Sequence, residues 1–221
     1  MSTMIAHGAP AQVRAVEANR VLRNTYLLLA MTLLFSAVTA GISMALKLPH
    51  PGLLLTLGGY FGLLFLTMRN RNSTMGLVWV FALTGFMGYT LGPVLNVYLG
   101  LPNGAQQVVT AMGGTAVVFL GLSGYALASR RDFSFLGGAL FAGILVAFLA
   151  GIGAYLFEMP GLSLAVSALF VLLMAGLILY ETSNIIHGGE TNYILATVSL
   201  YVAIYNLFAS LLHLLGLGAE E

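Results

Sequence analysis

Apolar residues along this chain gather into seven long runs divided by short polar connectors. The runs cover residues 25–46, 53–68, 75–98, 105–128, 134–157, 161–181 and 193–215. A helix rises about 1.5 Å per residue, so about 20 apolar residues cross a hydrocarbon layer about 30 Å thick. Each run reaches or approaches that length, the second being short. None shows the alternation of a membrane β-barrel, so the pattern predicts transmembrane helices. The third is expected to break at Gly92-Pro93, because proline lacks the helical N–H. The connectors are 47–52, 69–74, 100–104, 130–133, 158–160 and 182–192, with tails at 1–24 and 216–221. The reading is one all-α bundle with no soluble domain.

Composition agrees. Residues of the AVILMFWYC set make up 59% and charged residues 7%, against roughly 25% charged in soluble domains. A soluble globular enzyme, a disordered chain and a secreted disulfide scaffold are excluded. Cysteine is absent, which removes disulfides, thiolate metal sites and cysteine nucleophiles.

The distribution of charge says more than its total. Of the charged residues only Glu181 falls inside a predicted span, and there at its end, as the cost of charge in hydrocarbon demands. If the helices alternate, Arg14, Arg20, Arg23, Arg69, Arg71, Arg130 and Arg131 share one side, with Lys47 alone on the other. The excess of basic residues predicts a cytoplasmic N-terminus and, with seven spans, a periplasmic C-terminus. The first run is too long for a signal-peptide core and reads as a retained anchor. The polar segment before it is read either as a disordered stub or as a cytoplasmic handle for a partner.

Small residues four apart let helices approach closely. Gly58 and Gly62, Gly88 and Gly92, and the series Ala139, Gly143, Ala147, Gly151 are expected to pack within the bundle. In the seventh run, Ser199, Ala203, Asn206, Ser210 and His213 share one face. That small, polar face is expected to point inward, either for interhelical hydrogen bonding or as the lining of a polar pathway, and Asn206 near mid-membrane needs a hydrogen-bond partner.

Candidate chemistry is sparse. Gly121-Leu122-Ser123-Gly124 has the GxSG pattern of intramembrane serine proteases, with His213 as a formal base. Depth argues against the pair: the predicted topology separates them by roughly 20 Å along the membrane normal. The four histidines are scattered, no HExxH pair exists, and no lysine lies in a span to form a Schiff base. Glu181 remains. Arg69 and Arg71 end the second run on the same side, so an ion pair or latch with Glu181 is one reading; a hydrated interfacial glutamate is the other.

The stretch from Glu181-Thr-Ser-Asn to His187-Gly-Gly-Glu-Thr-Asn-Tyr193, followed by Ala196-Thr-Val-Ser-Leu-Tyr201 and Asn206-Leu-Phe208, is distinctive. It resembles the C-terminal signature of the bacterial Bax inhibitor family. Val21-Leu-Arg-Asn-Thr-Tyr26, Gly85-Phe-Met-Gly-Tyr89, Leu91-Gly-Pro93 and Phe133-Ser-Phe-Leu-Gly-Gly138 agree with it. The resemblance spans nearly the whole chain. It implies a seven-transmembrane helix bundle with the last helix central, and a non-enzymatic modulator in the bacterial inner membrane. The partner implied is the FtsH AAA protease with its HflK/HflC companions; the modulator is also a substrate, restrains FtsH and spares membrane proteins such as SecY. The N-terminal tail is the implied point of engagement. No cofactor, metal, nucleic acid or small-molecule substrate is implied. Other relatives are described as pH-sensitive calcium or proton leak channels built on two paired aspartates. Here the first position is Glu181 and the second is Ala203, which supplies no carboxylate.

Overall fold

The structure, a computed structural model, describes the backbone of residues 9–217 and the side chains of residues 16–216. Residues 1–8 and 218–221 of the expected tails, with Glu220 and Glu221, lie outside the described residues. Seven α-helices follow in order: α1 (Ala9–Ala45), α2 (Leu53–Arg69), α3 (Thr74–Leu99), α4 (Gly104–Ser129), α5 (Gly137–Leu156), α6 (Pro160–Ile186) and α7 (Tyr193–Leu217). A 3-10 turn at Ser134–Leu136 leads into α5. Six of the helices are long and apolar enough to cross a membrane, whereas α2, with 17 residues, is shorter.

Two helices are longer than the apolar runs. α1 begins at Ala9, so residues 9–24 are not the loose stub that polarity alone allowed. Ala9, Ala11, Ala15 and Ala18 are strong helix formers, and Val21 is already buried in the core. α6 runs five residues past its expected end, to Ile186. Thr182, Ser183 and Ile185 are wholly buried, so tertiary packing overrides their modest helix propensity. Glu181 therefore sits within the helix.

The expected break in α3 does not occur. The helix passes through Pro93 uninterrupted. Proline there leaves the carbonyl of Tyr89 without its i+4 donor. Ser43 on α1 replaces it, donating from Oγ to the Tyr89 oxygen at 3.0 Å. The same seam holds the glycines. A Cβ on Gly88 would meet Thr39 Oγ1 and the Ser36 carbonyl, and one on Gly92 would meet Ser43. α1 and α3 form the most extensive helix pair in the bundle. Gly143 packs on Leu173 and Gly151 on Val166, joining α5 to α6. Gly58 and Gly62 do not pack as expected. Nothing lies within 4 Å of an added Cβ at either, and it is Gly59 that meets Phe86 of α3.

Successive helices run in opposite directions. α1 and α3 are parallel, since Phe35 meets Gly85 and Ser43 meets Gly92. α6 and α7 are antiparallel, since Glu181 meets Ser199 and Ser167 meets His213. α5 is antiparallel to α6, and α4 parallel to it, with Ser123 beside Thr182. One end of the bundle therefore carries the connectors 70–73, 130–133 and 187–192. The other carries 46–52, 100–103 and 157–159, where Tyr89 Oη donates to the Pro49 carbonyl at 2.9 Å and Asn96 Nδ2 to that of Met44 at 3.1 Å.

α7 touches α1, α3, α4 and α6. Its Ala196, Leu200, Tyr201, Ala203, Leu207 and Leu212 are all sealed from solvent. Leu34 and Val38 of α1, Val117 and Leu120 of α4, and Phe141 and Val146 of α5 point outward. An outer surface of this kind suits hydrocarbon, which solvates leucine as well as a protein core does.

Candidate functional site

Glu181 is half-buried between α6 and α7, and Ser199 donates its hydroxyl to Oε1 at 2.6 Å. Arg69, the last residue of α2, is exposed, and no ion pair joins it to Glu181. The amide of Asn206 is turned onto its own helix, with Nδ2 donating to the Val202 carbonyl at 2.8 Å. From Ser199 to Asn206 is about 10 Å along the helix. The three residues singled out from the sequence thus do not form one cluster. The polar face of α7 does turn inward: Ser199 meets Glu181 at one end, and at the other His213 Nδ1 meets Ser167 Oγ at 2.8 Å. Between them Ala203 and Leu207 pack on Met174 and Ile178 of α6. Ala203, the position the resemblance sets against the second aspartate of the leak-channel relatives, thus supplies a buried methyl group.

Ser123 and His213 are not partners. Ser123 lies beside Thr182 and His213 beside Ser167. Those α6 residues are 15 positions apart, or about 22 Å of helix.

A second polar seam on α7 escaped sequence reasoning. Thr197 Oγ1 donates to the Tyr193 carbonyl of its own helix at 2.7 Å and lies 3.3 Å from the Thr25 carbonyl. Tyr201 Oη and Ser36 Oγ share a bond of 2.6 Å, and Tyr205 Oη lies 3.3 Å from Thr90 Oγ1. These three residues are spaced by four, so they stand on one stripe facing α1 and α3. That spacing of hydroxyls was the available signal. α7 is hydrogen-bonded along two faces at once.

The connectors at the 187–192 end are stitched together by side chains. Ser183 Oγ donates to the Arg131 carbonyl at 3.0 Å and accepts the Phe133 N–H at 3.0 Å. His187 places Nδ1 2.8 Å from the Ser183 carbonyl and Nε2 3.1 Å from that of Arg130. Asn192 caps α7, its Oδ1 accepting the N–H groups of Ile194 and Leu195 at 3.0 and 3.2 Å. Its Nδ2 reaches the Arg71 carbonyl at 2.9 Å and Asn72 Oδ1 at 2.8 Å. Asp132 accepts the backbone N–H of Ser134 at 2.8 Å. That bond, with the Ser134 hydroxyl, holds its carboxyl below the ordinary aspartate value. Among the described residues no group of three or more His, Cys, Asp or Glu is placed to hold a metal ion.

Comparison with known proteins places this arrangement. The profile of the family described as "Inhibitor of apoptosis-promoting Bax1" matches residues 18–220. A Pseudomonas aeruginosa protein is 56% identical over 93% of this chain and 92% of its own length. The Escherichia coli K12 protein named "Modulator of FtsH protease YccA" is 53% identical over 93% of this chain and 94% of its own. An "Uncharacterized membrane protein" of Vibrio cholerae is 45% identical over 92% of each. Similarity that holds from one end of the bundle to the other makes the chain a member of the Bax inhibitor (Bax1-I) family of membrane proteins.

Proposed function

We propose that the chain is an inner-membrane modulator of the FtsH protease, at once its partner and its substrate. The observation that carries this reading is the 53% identity to the Escherichia coli modulator, which leaves almost none of either chain unmatched. A second Escherichia coli relative of equal identity is named an inner membrane protein. The chain acts by occupation and not by catalysis. An FtsH complex engaged on a bundle that is slow to extract is withheld from other membrane substrates, SecY among them. HflK and HflC belong to the same assembly in this reading.

All seven helices cross the bilayer, with the N-terminus in the cytoplasm and the C-terminus in the periplasm. The alternating directions support seven crossings, although α2 is short and requires local thinning or tilt of its neighbours. The basic residues support the orientation: Arg20, Arg71, Arg130 and Arg131 lie at the 187–192 end, and Lys47 at the other. α7 has a larger buried share than any other described span, which supports its central place.

The test is co-purification with FtsH and turnover in its presence. Deleting residues 1–24 would remove Val21 from the core, so the deletion should stop at residue 15. Loss of turnover with retained co-purification is the expected result. Unchanged turnover without residues 1–15 would refute entry through this segment.

Glu181 with Ser199 forms a latch between α6 and α7 in this scheme, with Arg69 and Asn206 outside it. Calcium flux into liposomes that vanished in Glu181→Gln would favour the leak-channel alternative instead. The buried Ala203 counts against that alternative.

A further inference from the structure

A cavity of about 520 Å³ opens where α1, the 70–73 turn and the start of α7 meet. Arg20 and Arg71 reach it from separate segments, and no aspartate or glutamate is among its lining residues. Two acids stand close by, outside that lining. Glu17 and Glu190 line a neighbouring cavity that shares Arg20 and Thr191 with the first. Glu190 is engaged by the backbone N–H of Asn192 at 2.6 Å. The lining of the first cavity thus carries two arginines and no carboxylate, in a protein whose net charge is only +1.

Some of its remaining polar groups can donate, although the Ser73 hydroxyl is spent on the Asn70 carbonyl. Asn72 accepts from Asn192 through Oδ1, which leaves its own amide hydrogens for another acceptor. Asn24 also lines the wall. α7 begins here with its first N–H groups already capped by Asn192. α3 begins here at Thr74 without a side-chain cap; the Gly76 N–H is taken by the Ser73 carbonyl, and that of Thr74 remains as a donor. The inner wall is apolar, formed by Val21, Leu77 and Ile194, two of which are buried. The cavity thus presents a cationic, donor-rich rim over an apolar floor, at the end of the membrane-crossing part of α1.

We propose that this cavity binds a phosphate-bearing anion, gripped by the guanidinium groups of Arg20 and Arg71. Two planar guanidinium forks match phosphate oxygens in a way that lysines do not. The phosphate has two possible sources: the headgroup of an acidic phospholipid entering from the membrane surface, or a soluble phosphate compound. Either would tie the α1 segment to the 70–73 turn, which no ion pair or side-chain hydrogen bond between Arg20 and Arg71 themselves can do.

The full chain, purified in a non-ionic detergent, is titrated with short-chain phosphatidylglycerol, short-chain phosphatidylcholine and inorganic phosphate. Binding is followed by calorimetry and native mass spectrometry. One equivalent of phosphatidylglycerol or of phosphate is expected to bind saturably, and which one does so identifies the source. Arg20→Gln and Arg71→Gln should each weaken that binding about tenfold or more. Arg131→Gln, an exposed arginine at the same end but outside the cavity, should leave it unchanged. Thermal unfolding without ligand checks that the variants are folded. Arg20→Lys and Arg71→Lys, which keep the charge and lose the fork, should show an intermediate loss. No saturable binding by either anion would overturn the proposal. So would wild-type affinity in the two glutamine variants, or an equal loss in Arg131→Gln.

Discussion

Ser36 of α1 and Tyr201 of α7 share a hydrogen bond of 2.6 Å in a region sealed from solvent. The tyrosine hydroxyl also lies 3.3 Å from the Thr84 carbonyl of α3, so one phenol joins three helices. Tyr201→Phe keeps the ring and removes only this link. It should cost about 1 kcal/mol. Reversible unfolding in mixed micelles measures it. Combining it with Ser36→Ala should cost less than the sum of the two single changes, because both delete the same bond.

The bond from Ser43 to the Tyr89 carbonyl exists because Pro93 supplies no N–H. Ser43→Ala should therefore destabilise the bundle by about 1–2 kcal/mol, the cost of an unsatisfied buried carbonyl. In a Pro93→Ala background the backbone N–H returns, and the same change should cost markedly less. Equal costs in the two backgrounds would show that the serine acts through packing on Gly92 alone.

Glycines of similar spacing should respond oppositely to one methyl group. Gly88→Ala drives a Cβ into Thr39 and the Ser36 carbonyl and should lose about 1–3 kcal/mol. Gly58→Ala and Gly62→Ala meet nothing within 4 Å. Each should be neutral or gain up to about 1 kcal/mol from helix propensity. The same unfolding assay separates the two classes.

Asp132 is the only aspartate in the chain, so selective carboxyl labelling yields a single titrating signal. Its midpoint should lie below the ordinary 3.8, because the Ser134 N–H and hydroxyl favour the charged form. Ser134→Ala removes the hydroxyl and should move the midpoint part of the way back up. A carboxyl depressed on folding stabilises above its unfolded value and loses that contribution as pH falls through the folded one. The 130–133 connector should accordingly loosen only in strong acid, as read by exchange of the Ser134 amide.

The positions of the helices were legible because hydrocarbon imposes one rule on every span, a long apolar run without charge. The inward polar face of α7 was legible for the same reason, as lipid would not accept it. What stayed hidden depends on neighbours. Pro93 reads as a break until Ser43 of another helix is seen beneath it. Thr182, Ser183 and Ile185 read as a loop until their burial is known. The stripe Thr197, Tyr201, Tyr205 was overlooked because tyrosine and threonine count as membrane-compatible, so their spacing raised no contrast. Glu181 stood out as a charge, yet its partner proved to be Ser199 and not an arginine, a distinction that requires the angle between helices.

One helix carries the N-terminal segment straight into the interior, with no joint between Ala9 and Ala45. A motor that seized the front of that rod would draw it lengthwise, past α3 and α7, which lie alongside it and point the same way. Side chains seated in the glycine notches of α3 and hydroxyl links spaced along the rod would then resist together, as rivets in a lap joint do, where a hairpin tugged from its open end yields one rivet at a time. Resistance to unfolding is in this sense a matter of the direction of pull as much as of free energy.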